Sequence, residues 1–66
     1  MNDTLLKSIM VLRGDNQMEL ARALGINENT LTCKMKQRND FKQSEIKIIA
    51  ERYNLTDAQI KEIFFK

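Results

Sequence analysis

The chain has no proline, histidine or tryptophan, only two glycines and one cysteine in 66 residues. With no proline and glycine only at 14 and 25, long irregular segments are not expected, and the chain reads as almost all helix. The lone Cys33 excludes an intramolecular disulfide, and without histidine beside it a protein-built metal site is not expected. A glycine-rich phosphate loop and paired carboxylates in an evident pocket are lacking too. Nothing is left to carry catalysis, so neither an enzyme nor a cofactor nor a small-molecule ligand is expected. No apolar run approaches the roughly 20 residues that span a bilayer, and the start of the chain has no basic-then-apolar leader. The expectation is a cytoplasmic protein without a membrane partner. This length suits one domain (1–66), with a small core burying roughly 60% of the surface exposed by the unfolded chain.

Charge is nearly balanced at a net +2, and only its distribution is informative. Residues 1–16 hold two basic and two acidic side chains, and residues 43–66 hold four of each. The excess therefore arises in 17–42, where Lys34, Lys36, Arg38 and Lys42 cluster. Such a cluster suits a phosphate-contacting edge. The same cations also suit a solvated helix end, where they face the negative pole of the dipole.

Residues 17–35, QMELARALGINENTLTCKM, organise the rest. At helical period Leu20, Ala21 and Leu24 share one face of a first short helix, and Leu31 and Met35 share one face of a second. Gly25 follows the last periodic residue, where a left-handed C-cap suits a residue without Cβ. Asn27 stands where its side chain can accept from the amide of Thr30 or its neighbour. Two helices meeting at a sharp elbow, with Ile26 as the apolar plug, form a helix-turn-helix spanning about 17–36.

The order Gln-x-x-Leu-Ala-x-x-Leu-Gly-Ile-x-x-x-Thr-Leu resembles the helix-turn-helix of the phage repressor and Cro (XRE-type) family. Ala21, Gly25, Ile26 and Leu31 occupy that pattern's small, turn and aliphatic positions. Glu45-Ile46, Ile49-Ala50 and Asn54 through Phe65 resemble the closing helices of short phage regulators, so the likeness covers about the whole chain. It implies an all-α, five-helix lambda-repressor-like DNA-binding domain, with the motif at helices 2 and 3. It also implies a host-cell, nucleoid-associated setting.

In chain order, Asp3 or Thr4 caps a first helix to about Arg13, ended by Gly14, with Leu5, Ile9 and Leu12 as core stripe widened by Leu6 and Met10. Asn16 and Glu19 read as a capping box before Gln17. A Gln at position 17 is, by resemblance, one that bonds a DNA phosphate and braces the reading helix. The second motif helix starts after Asn27 and runs to about Gln37. With Leu31 and Met35 inward, Glu28, Asn29, Thr32, Cys33 and Lys36 are outward by elimination, and these are the base-contacting candidates. Such a helix fits the major groove, where Asn pairs adenine, Thr meets a thymine methyl and Glu accepts from cytosine. Cys33 is expected as an exposed or half-exposed thiol near DNA, with redox sensing open beside it.

The phosphate-contacting candidates are Gln17, Asn27 through its own amide, Lys34, Arg38 and Lys42. Many family members carry an apolar residue where Lys34 stands, but Lys34-Met35 matches a variant in which a Lys is followed by the apolar residue; the Lys34 stem can still pack along the core while its ammonium reaches a phosphate. The resemblance lays the loop 38–40 against the sugar-phosphate backbone, anchored by Arg38 and Lys42. Phe41 is a core plug. Lys42 replaces the family's usual Ser or Thr cap, so the fourth helix is expected to start late at Ser44 or to fray. That helix turns Ile46, Ile49, Ala50 and Tyr53 inward and Glu45, Lys47, Glu51 and Arg52 outward. Asn54 ends it, and Thr56 with Gln59 caps the fifth helix, whose inner stripe is Ile60, Ile63 and Phe64. Leu55, Phe65 and the outer edge of that stripe are either core lid or subunit interface. The resemblance implies a homodimer through Leu55, Ile60, Phe64 and Phe65.

The leading functional expectation is a sequence-specific regulator binding a palindromic double-stranded operator as a dimer, Cro-like and repressing by occlusion. The chain is read as a DNA-binding domain with no room for a second. The alternative is a protein-binding module, of antitoxin or phage accessory type, that keeps the fold without reading DNA.

Overall fold

Among the described residues three lie in the left-handed region: Gly14 (φ 68°), Gly25 (φ 72°) and Asn54 (φ 52°). In this computed structural model, which describes residues 3–36 and 41–65, they divide the helices. Five helices occur among the described residues: α1 (Asp3–Leu12), α2 (Gln17–Leu24), α3 (Glu28–Lys36), α4 (Gln43–Tyr53) and α5 (Asp57–Phe64). Asn54 closes α4 as an Asn can, its backbone amide reaching the carbonyls of Ala50 and Glu51. Thr56 and Gln59 then exchange the two bonds of a capping box, at 3.1 and 2.9 Å, and α5 begins.

One core holds the helices together. Leu6, Ile9 and Met10 of α1 meet Leu20 and Ala21 of α2, Leu31 and Met35 of α3, Ile49 and Tyr53 of α4, Ile63 of α5, and Phe41. α2 packs on α3 and α4, while α1 packs on α5, so the first and last helices close on each other. Phe41 is buried as expected and meets Phe64 edge-on, ring centres 5.5 Å apart.

Three expectations are corrected. The stripe of α1 is Leu6, Ile9 and Met10, with Leu5 at its edge; Leu12, expected inside, is 83% exposed. Ile9 belongs to both possible stripes, so periodicity alone did not choose between them. The fourth helix starts at Gln43, ahead of the late start expected at Ser44. Lys42 has no side-chain acceptor to offer, but Glu45 turns back and accepts from the Lys42 backbone N–H at 2.8 Å. That bond draws Glu45, expected outside, to 6% exposure.

A polar clamp ties the α1–α2 connection to the end of α4. Arg52 donates twice to Asp15, at 2.8 and 3.1 Å, and the Tyr53 hydroxyl donates to the same carboxylate at 2.5 Å. Arg13 donates to the Tyr53 carbonyl at 2.9 Å. The hydrogen bonds from Arg52, ahead of that from Tyr53, outweigh burial and hold the Asp15 carboxyl at about 2. Burial first, and then the neighbouring carboxylate, pushes the Tyr53 phenol well above its ordinary range.

Candidate nucleic-acid interface

The α2–turn–α3 unit is built as the local signals predict. Gly25 adopts φ 72° and ψ 26°, and its amide reaches the carbonyls of Ala21 and Arg22. The Ile26 amide returns to Ala21 at 3.0 Å, and its side chain packs half-buried against the core. Asn27 Oδ1 then accepts from the Thr30 amide at 2.7 Å, opening α3 with an N-cap bond. At the other end of the unit Asn16 Oδ1 accepts from the Glu19 amide at 2.9 Å. Ala21 is 2% exposed, consistent with a close crossing of α2 over its neighbours.

Leu31 and Met35 face inward. Glu28, Asn29, Cys33 and Lys36 lie exposed on the other face of α3, where elimination placed them. Thr32 differs. It is half-buried, and its hydroxyl donates to Gln17 Oε1 at 3.0 Å. Gln17 therefore braces α3 directly.

The cations divide as well. Lys36 and Lys42 are exposed. Lys34 turns inward: its ammonium lies 3.2 Å from Glu45, the two side chains 14% and 8% exposed, and 5.8 Å from the centre of the Phe41 ring. The expected packing of its stem is seen, but the ammonium expected on a phosphate is engaged by a carboxylate instead. Burial opposes ionisation of Glu45, yet the Lys42 amide and the Lys34 ammonium outweigh it and hold the carboxyl below its ordinary range. Arg38, expected as a phosphate anchor, lies outside the described residues. Asn27 is exposed at the start of α3, its side-chain oxygen used by the cap.

The residues expected at a subunit contact also separate. Leu55, Ile60 and Phe65 line an open, mostly apolar groove with Ile46 and Ala50 between α4 and α5. Phe65 is 68% exposed, whereas Phe64 turns inward onto Phe41. Among the described residues no three His, Cys, Asp or Glu side chains converge as a metal site would require, and no helix is long and apolar enough to cross a membrane.

Sequence reading missed Glu45 and the Asp15–Arg52–Tyr53 clamp. For Glu45 a signal existed: it stands three residues after the cap position, where a capping-box Glu belongs. The chain matches no protein-family model, no curated protein and no solved structure.

Proposed function

We propose that the protein is a sequence-specific double-stranded DNA-binding regulator that reads the major groove with the outer face of α3. One observation carries this reading. The α3 face with Glu28, Asn29, Cys33 and Lys36 has no packing duty, yet the helix beneath it is set at a defined angle by the Gly25 elbow, the Asn27 cap and the Gln17–Thr32 bond. Rigid placement of an exposed polar helix face is what base-edge recognition requires. In this reading Asn29 and Lys36, with Glu28 and Cys33, approach base edges, and Thr32 serves as a brace. The Gln17 amide nitrogen, the Asn27 backbone amide, Lys42 and Arg38 hold the phosphates.

The apolar groove at α4–α5 would seat a second copy, giving a dimer on a palindrome whose half-site centres are about 34 Å apart. Such a dimer represses by covering a promoter, in the manner of the short phage regulators that the sequence resembles. The same groove is what the second reading uses: a protein-binding module that keeps this fold and leaves α3 unread.

Selection from a randomised duplex library at two salt concentrations separates the two. Recovery of a palindrome, with log K falling steeply against log salt at about −0.9 per phosphate contact, supports the regulator. Absence of enrichment at low salt refutes it and favours the protein-binding module.

A further inference from the structure

We propose that Glu45 withholds the charge of Lys34 from nucleic acid, so that the α3–α4 ion pair limits how strongly this face grips a phosphate backbone. The inference rests on the DNA-binding reading above. Lys34 belongs to α3 and borders a shallow hollow shared with Asn27, Asn29, Thr30 and Cys33, on the side proposed to meet DNA. Its ammonium nevertheless lies 3.2 Å from Glu45 Oε1 and over the Phe41 ring. The carboxylate is itself fixed, because the same Oε1 accepts from the Lys42 amide at 2.8 Å and so serves as the helix cap that Lys42 cannot supply. Cap, ion pair and aromatic face thus converge on one point between α3 and α4. Lysine carries its charge on a flexible four-carbon stem, which can present the ammonium to either side of its helix. While held at Glu45 it displaces no counterion from a duplex; released from Glu45, it would add a phosphate contact.

Glu45→Gln separates this role from a merely structural one. The amide oxygen can still accept from the Lys42 N–H, so the cap and the side-chain volume remain while the negative charge goes. Wild type, Glu45→Gln, Lys34→Gln and the double variant would be titrated with a non-specific duplex across a salt series, after circular dichroism has established equal helix content. In parallel, the DNA-free proteins would be treated with an amine-acetylating reagent and the labelling of each lysine followed by mass spectrometry.

Glu45→Gln is expected to steepen the salt slope by about 0.9 per bound subunit. Lys34→Gln is expected to keep the wild-type slope, and the double variant to return to it. In the free wild type, Lys34 should acetylate more slowly than the exposed Lys36 and Lys47, and Glu45→Gln should raise its rate.

Flattening of the wild-type slope by Lys34→Gln would overturn the inference, because Lys34 would then already hold a phosphate. An unchanged slope in folded Glu45→Gln would overturn it as well. Rapid acetylation of Lys34 in the free wild type would refute the withholding whatever the DNA result. If Lys34 is protected but the wild type binds no duplex at low salt, the DNA-binding reading fails, and the limiting role of the pair fails with it.

Discussion

Replacing Asp15 by Asn removes the negative charge from the clamp that holds the α1–α2 connection to the end of α4, while leaving an oxygen for the Tyr53 hydroxyl. The carboxyl falls from 3.8 to about 2 in the folded protein, chiefly through its bonds from Arg52. At 1.36 kcal/mol per unit the ceiling on its contribution is about 2.4 kcal/mol. The Arg52 side chain is 34% exposed, and solvent screening lowers the expected loss to roughly 1–2 kcal/mol. The folded carboxyl is depressed, so this stability is fully present above the unfolded value of 3.8 and is lost as pH falls through about 2. Urea denaturation of wild type and Asp15→Asn should therefore show the full gap at pH 7, about half of it at pH 3, and little near pH 2. A gap below about 0.5 kcal/mol at pH 7, or one equally large at pH 7 and pH 3, would show that the clamp does not carry the charge energy assigned to it.

Further outcomes follow from the α2–turn–α3 unit. Asn29→Ala should cost about 1–3 kcal/mol at particular base pairs and leave non-specific binding nearly intact, while Arg38→Ala should weaken all sequences alike and flatten the salt slope. Identical behaviour of the two in a binding-site selection would show that the reading and anchoring roles are misassigned. Ala21→Leu should destabilise the fold by roughly 1–3 kcal/mol through overpacking, and a normal melting curve for that variant would mean the helices do not cross closely there. Loss of the α3 cap in Asn27→Ala should cost about 0.5–2 kcal/mol; unchanged stability in thermal denaturation would mean that the 2.7 Å bond to the Thr30 amide contributes little.

The elbow was legible in the sequence because each of its parts is local. Gly25, Ile26 and Asn27 fix a turn with residues no more than five positions away, and amino-acid type alone carries those preferences. The same holds for Asn54 and for Thr56 with Gln59. The burial of Leu31 and Met35 followed from period, and the exposure of Asn29 and Lys36 followed from theirs. Where two stripes share a residue, as at Ile9, period cannot rank them, and Leu12 was misplaced for that reason. The pairing of the Lys34 ammonium with Glu45 was hidden because a charged tip reads as solvent-facing until its partner is known, although the place of Glu45 three residues after the cap was itself a local signal. Asp15 and Arg52 are 37 positions apart, and no spacing rule joins them.

Tyr53 is the chain's only tyrosine and there is no tryptophan, which makes the clamp a built-in optical reporter. The phenol is 2% exposed and bonded to Asp15, so its near-ultraviolet signal arises almost wholly from the seam between the first loop and the end of α4. Far-ultraviolet ellipticity, by contrast, averages over all the helices. Coincident transitions by the two signals would mean that the seam and the helices unfold as one unit. An earlier loss of the tyrosine signal would mean that the first loop parts from the end of α4 while helical backbone persists, so that this seam is a weaker joint than the helices it ties.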